Sequence, residues 1–404
     1  MDAIQTLTVA GLALFAGEGF RRALPVLARL HLPAAVLGGL AVAVAVLLLP
    51  KAGLATPVFD SALKSPLLVA FFTTLGFGAS LPLLRAGGRQ VLLFLGLATL
   101  LAAAQGLLGM GIAKALGLPP LFGVLTSTVT LAGGPATALA FAPAFEQAGV
   151  SGAEAVGIIA AMGGIVLGGL VGGPVVGAVL RDQNRAAASG APARGVPSEL
   201  PAASDTMPAA QAAPTSRAPT TTQSAMQAIL LVLTVMWVGT FIGAGFKAVG
   251  ITLPAYVGAM LVAAVVRNVA DAIGWRLPLP AIETFGNLAL PLFMAMALMT
   301  LELGKLAGLA TPLLVNLAAQ TLLVVLVARW LVPRLMGRDY DAAIMAGGFT
   351  GFMLGTTANA MAVMRTVTDQ YGPAPRAFLV APLVGAFFID FANAVIITGF
   401  LNWR

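Results

Sequence analysis

The stretches TSTVTLAGGPAT (126–137) and GGFTGFMLGTTAN (347–359) decide how this chain is read. Each lies inside a long apolar run, roughly 121–145 and 342–364, and each interrupts that run with Gly, Thr and either Pro or Asn. Glycine admits φ > 0 and close backbone approach. Pro135 lacks an amide donor and disfavours helix at Gly134. Irregular backbone at membrane depth survives only when it is buried in protein or lines a wet cavity. Such a hairpin presents free N–H groups to anions and free carbonyls to cations. The flanking Thr, Ser and Asn residues add neutral oxygens suited to a hard monovalent ion. Gly and Thr also serve close helix packing on their own. Two such segments at matching positions in the chain favour binding over packing.

The rest of the sequence places these segments in lipid. Of 404 residues, 59% are hydrophobic and 9% charged, against about 45–50% and about 25% in ordinary globular proteins. So few charges cannot cover a water-soluble body of this size. Ten further apolar runs are long enough to approach a bilayer span: 4–20, 33–49, 66–84, 91–116, 155–180, 226–246, 254–266, 285–301, 308–333 and 379–401. Met1 and Asp2 lead directly into the first run without a basic region, so it reads as a retained span, not a signal peptide. The net charge of +7 comes from bases scattered between apolar runs, not from the clustered footprint that nucleic acid requires. Cysteine is absent and His31 is the single histidine, which excludes thiolate chemistry and His-cluster metal centres.

The stretch 181–225 is rich in Ala, Pro, Ser, Thr and Gln and reads as a flexible linker. It divides the chain into 1–180 and 226–404, with five spans and one broken segment in each. The halves echo each other. Leu32-Pro33-Ala34-Ala35-Val36 matches Leu253-Pro254-Ala255-Tyr256-Val257, Thr137-Ala138 matches Thr357-Ala358, and Leu170-Val171-Gly172 matches Leu383-Val384-Gly385. An odd number of spans per half makes the second half run inverted. The expected fold is therefore an all-α integral membrane protein of two inverted-topology repeats. Each repeat has five transmembrane helices and a re-entrant hairpin. That is the build of secondary transporters, with sites near mid-membrane at the repeat interface. Placing both termini outside and the linker in the cytoplasm puts 16 of the 22 Lys and Arg residues inside.

Among single residues, Asp390 is the deepest acid in any span. A carboxylate there costs about 2.5–3.5 kcal/mol on insertion scales and marks a functional position. Asn393 follows at i+3 and shares its face. Glu18 with Arg22, and Glu302 with Lys305, read as interfacial ion pairs; Glu154 suits a helix start, and His31 a loop. Gly164, Gly168 and Gly172 form a small-xxx-small packing stripe. Arg365 and Arg376 follow from positive-inside placement.

Five runs carry a family likeness: SPLLVAFFTTLGFGASLPLLRAGGR (65–89), GIVLGGLVGGPV (164–175), LPLFMAMALMTLELGKLAGL (290–309), YDAAIMAGGFTGFMLGTTANAMAVM (340–364) and FLVAPLVGAFFIDFANAVI (378–396). They resemble the bacterial sodium/glutamate symporter family. The resemblance implies sodium-coupled uptake of glutamate or a related amino acid or organic anion across the inner membrane. It also implies a homodimer and an elevator-like motion. By position it assigns the substrate to Gly133, Gly134 and Thr137 at the first tip. At the second it assigns Gly348, Thr350, Gly351, Thr356 and Thr357, with Asn359 beside them where the family pattern tends to carry a smaller residue. The Na⁺ site falls to Thr128, Thr130, Asp390 and Asn393. The family's first tip typically reads Gly-Gly-His-Gly-Thr and its second begins Gly-His-Cys-Gly; here these are Gly133-Gly134-Pro135-Ala136-Thr137 and Gly348-Phe349-Thr350-Gly351. Rival readings are a proton-coupled carrier of another organic anion and a channel. An enzyme is disfavoured, because no nucleophile and base or metal site lies in the spans.

Overall fold

The computed structural model describes residues 1–404 apart from 25–26, 28–31, 87, 189–221, 249–253, 302–308 and 404. His31, Glu302, Lys305 and most of the linker fall outside the described residues. The described chain is all-helical, and its helices are long and apolar as the composition requires. They are α1 (Ala3–Ala23), α2 (Ala34–Leu48), α3 (Lys64–Gly76), α4 (Leu81–Ala86) and α5 (Gly88–Ala115). Next come α6 (Pro120–Val124), which continues as π-helical turns over Leu125–Ala132, then α7 (Gly134–Gln147) and α8 (Ala153–Ala188). The second half contributes α9 (Thr222–Ala248), α10 (Ala255–Ile273), α11 (Leu279–Met299), α12 (Ala310–Met336), α13 (Tyr340–Met353) and α14 (Thr357–Tyr371). It ends with α15 (Pro375–Leu383), π-helical turns over Val384–Phe388 and α16 (Ile389–Asn402).

Among the described residues, seven helices are long and apolar enough to span a bilayer. The other three runs read as spans differ in form. The run 33–49 is the shorter α2, extended by 3₁₀ turns at Leu49–Ala52. The run 379–401 passes through the π-helical turns between α15 and α16. The run 66–84 is cut between α3 and α4, and α10 holds the cut. Asn268 donates to the Ala79 carbonyl at 2.7 Å and accepts from the Leu81 amide at 2.8 Å. The helices also intrude on the expected linker: α8 continues through Ala188 and α9 begins at Thr222. The alanine-rich sequence there tolerates helix beyond the apolar run.

The helices sort into two bodies. α1, α2, α3, α9, α10 and α11 pack on one another. α5, both broken segments, α8, α12, α15 and α16 form the second body. Each half of the chain thus gives its first three spans to one body and its last two, with the broken segment, to the other. Most of the polar interior lies in the second body. Of the buried polar side chains among the described residues, Thr6, Thr73 and Ser80 belong to the first, and the others, Gln105, Asn316, Gln320 and Asn393 among them, belong to the second. The outer surface is apolar, with Phe15 80% exposed and Leu100 71% exposed. Such residues need lipid around them.

The bodies meet through apolar side chains. Leu139, Ala155 and Ile158 cluster with Val36, Phe293 and Leu298. Tyr256 stacks on Phe72 with centroids 3.9 Å apart and meets Phe141 edge-on at 5.8 Å. An ion pair also crosses between them, Lys64 with Glu154. Glu18 pairs with both Arg21 and Arg22 within α1. In the second body Arg329 pairs with Asp182 at 3.0 Å, and Arg376 pairs with Asp339.

Glycines set the closest helix crossings. A Cβ on Gly38 of α2 would collide with the Ala13 carbonyl of α1, whereas one on Gly96 of α5 meets nothing within 4 Å. Gly38→Ala should therefore cost about 1–3 kcal/mol of stability through overpacking. Gly96→Ala should be neutral or stabilising by up to about 1 kcal/mol. Thermal unfolding of the two purified variants in detergent checks the contrast.

Candidate functional site

Both decisive stretches are interrupted helices. In the first, the chain runs helically through Leu125–Ala132, breaks at Gly133 and restarts as α7. Gly134 takes φ +69°, the left-handed conformation that an L side chain ahead of Pro135 resists. In the second, α13 ends at Met353, and Thr356 opens α14 by accepting the Asn359 amide at 3.3 Å. Each segment folds back on itself. Gly157 of α8 touches Leu125 and Ala138 together, one from each arm of the first. In the second, Gly351 faces Ala360 and Gly348 faces Met364.

The two breaks meet. A Cβ on Gly134 would lie 3.1 Å from Thr356 Cγ2 and 3.5 Å from the Gly355 carbonyl oxygen. The N-termini of α7 and α14 therefore converge on one place. The first of them carries no side-chain cap. Gly133, Ala136, Thr356 and Thr357 are half-buried and Ala358 is exposed, within otherwise buried surroundings. Two partly open helix N-termini favour an anion.

The glycine stripe of α8 seats these tips. Gly164 faces Leu131 and the Leu354 carbonyl, Gly168 faces Asn359, and Gly172 faces Val363. Asn359 donates to the Ile165 carbonyl of α8 at 3.0 Å and to the Gly351 carbonyl at 3.3 Å. Thr357 donates to Gly385 in the last span at 2.8 Å. Thr137 is buried against Gly133.

The second break does not sit at the glycines to which the resemblance assigned the tip. Gly348, Thr350 and Gly351 lie within α13, and the Thr350 hydroxyl donates to the Ala346 carbonyl of its own helix at 2.9 Å. The break falls at Leu354–Thr356 instead. The glycines keep α14 close, and the β-region Thr356 cap sets the restart.

Of the expected cation ligands, Thr128 and Asn393 come together. The Thr128 hydroxyl donates to Asn393 Oδ1 at 2.7 Å, and Asn393 Nδ2 donates to the Thr128 carbonyl at 3.0 Å. Thr130 turns to the Ser127 carbonyl at 3.3 Å. Asp390, half-buried, precedes Asn393 on α16 and lies within electrostatic reach of the Tyr256 phenol.

An amide network went unrecognised in the sequence. Gln105 donates to the Met353 carbonyl at 3.2 Å, and Asn316 donates to the Thr126 carbonyl and hydroxyl at 3.1 and 2.7 Å. Gln320 donates to the Gln105 carbonyl at 3.0 Å. Each half's span thus holds the other half's broken segment. The available signal was an isolated amide inside an apolar run, which is costly unless bonded.

The Thr128–Asn393 pair is separable by a double-mutant cycle. Thr128→Val and Asn393→Leu should each cost about 1–3 kcal/mol by stranding the partner's polar group. The double variant should fall short of their sum by about 0.5–3 kcal/mol. Thermal unfolding of the four proteins measures it; strict additivity would refute the pairing.

A model of the sodium/glutamate symporter family matches residues 1–373. The sodium/glutamate symporter of Escherichia coli K12 is 38% identical over 99% of this chain and 98% of its own length. That of Haemophilus influenzae is 34% identical over 97% of this chain and 95% of its own. These relatives are symporters, not enzymes. The chain, matched along nearly its whole length, belongs to the sodium/glutamate symporter family.

Proposed function

We propose that this protein is a secondary active symporter of the bacterial inner membrane, coupling Na⁺ influx to uptake of glutamate or a close acidic relative. The observation that carries the reading is the meeting of Gly134 with Thr356. It brings two helix N-termini to one place among buried hydroxyls and amides. The substrate's carboxylates bind the N–H groups of Gly134, Ala136 and Thr137 and those opening α14. With Pro135 and Phe349 in place of the family's tip histidines, backbone amides read the carboxylate instead of imidazoles. Na⁺ binds carbonyl and side-chain oxygens around Thr128, Asn393 and Asp390.

The division into two bodies favours an elevator-like cycle. The second body carries both broken segments as re-entrant hairpins of two inverted repeats. The first body is the fixed scaffold, and the protein is a homodimer. Both termini face outward and the linker, 181–225, lies on the cytoplasmic side. The contact of Leu139 and Ile158 with Val36 and Phe293 is apolar and would let the bodies slide there without breaking hydrogen bonds, leaving the Lys64–Glu154 pair to be broken.

In proteoliposomes an inward Na⁺ gradient should drive glutamate accumulation, and a Na⁺ ionophore should abolish it. Accumulation driven by a proton gradient in the absence of Na⁺ would replace this reading with proton coupling. Ionic currents far above any carrier turnover would replace it with a channel.

The Lys64–Glu154 pair links the two bodies in this state. Glu154→Gln should leave folding intact, because a part-exposed pair contributes about 0–1 kcal/mol. It should shift the apparent KM for substrate in opposite directions on the two membrane faces. Right-side-out and inside-out vesicles give that comparison.

A further inference from the structure

Among the described residues, four buried side-chain oxygens in the second body have no donor, those of Gln105, Gln320, Asn359 and Thr398, and the two glutamines belong to one amide network. Gln105 and Gln320 are both fully buried, and the Oε1 atom of each lacks a hydrogen-bond partner. The side-chain amide N–H groups of this network are already committed. Gln105 Nε2 donates to the Met353 carbonyl at 3.2 Å. Gln320 Nε2 donates to the Gln105 carbonyl at 3.0 Å and to Asn316 Oδ1 at 3.3 Å. Asn316 Nδ2 donates to Thr126. Turning either glutamine amide over would give up these bonds and bury an unpaired N–H₂ instead. The arrangement is rich in acceptors and poor in donors. It stands against the C-terminal end of α13, whose partial charge is negative. No group of three or more carboxylate, histidine or cysteine side chains able to hold a metal exists among the described residues.

We infer that the Gln105 and Gln320 amide oxygens bind a dehydrated monovalent cation, Na⁺ in the working protein, at a site separate from the tips and from Thr128, Asn393 and Asp390. Neutral oxygens suit one positive charge; a divalent ion needs carboxylates to balance it. Because Gln105 also holds the end of α13, the ion steadies the second break before substrate arrives. The inference rests on the Na⁺-coupled reading above.

The test is a Na⁺ titration of thermal stability in purified protein without glutamate, at constant ionic strength with choline as the replacement. Gln320→Met keeps size and removes the oxygen; Gln320→Glu keeps the oxygen and adds charge. The Met variant should raise the Na⁺ midpoint about tenfold or more, in line with loss of one strong contact, and flatten the titration. The Glu variant should lower the midpoint. Should the Met variant not fold, the Glu variant decides by the same measure. Midpoint and slope matching wild type in the variants that fold would overturn the inference, since water then serves these oxygens. A wild-type protein whose stability and uptake both ignore Na⁺ would remove the coupling reading along with it. Normal wild-type dependence with indifferent variants removes only this site.

Discussion

Inside a bilayer, a backbone that leaves the helix must find partners within the protein, because lipid supplies none. This chain breaks two helices in its interior and satisfies the exposed groups with amide side chains from distant spans. At the end of α13 the Thr350 and Phe352 carbonyls accept from the Leu354 and Gly355 amides at 3.2 and 3.3 Å. The Gly351 carbonyl takes Asn359, and the Met353 carbonyl takes Gln105. At the first break the Thr128 carbonyl accepts from both the Gly133 amide and Asn393, and the Thr126 carbonyl accepts from Asn316. The broken backbone and the buried amides are therefore one feature. Neither is tenable in lipid without the other, since an unpartnered buried group costs about 1–3 kcal/mol.

Small residues make room for that exchange. An amide reaches a backbone carbonyl on another helix only when the helices lie close. Gly109 of α5 and Gly123 of α6 face each other so tightly that a Cβ on either would strike the other's carbonyl. Gly164 and Gly168 of α8 do the same for the tips. The glycine stripe is thus packing in its immediate chemistry and functional in its consequence, because it fixes where the two N-termini converge.

How far the sequence could be read follows from this. The broken segments were legible because Gly133-Gly134-Pro135 and the run from Gly347 to Asn359 disrupt helix locally. The first break sits where Pro135 requires. The second was misplaced because five residues from Gly347 to Gly351 look permissive, yet α13 runs through them. Its partner α14 fills the space their missing side chains leave. The break at Leu354–Thr356 depends on Thr356 capping and on Asn359 reaching α8, which are tertiary facts. Gln105 and Gln320 lie 215 residues apart, each alone in an apolar run, and nothing local joins them. The division into two bodies was likewise invisible, since every span has the same composition whichever neighbour it chooses.

In the elevator-like cycle proposed above, that division would by itself couple ion to substrate. The tips, the Thr128–Asn393 pair and the Gln105–Gln320 network all belong to the second body, so in that cycle whatever bound to them would travel together. The surface where the two bodies meet is lined by Leu139, Phe141 and Ile158 facing Val36, Phe72 and Phe293. An uncompensated charge brought against such a surface costs about 2.5–3.5 kcal/mol even on the mildest scale. A penalty of that size lowers the crossing population about a hundredfold. Glutamate alone, with one net negative charge, or a cation alone, would pay it; the pair together would largely escape it. Coupling then needs no gate that senses occupancy. It follows from an apolar track and a cargo that is near neutral only when complete.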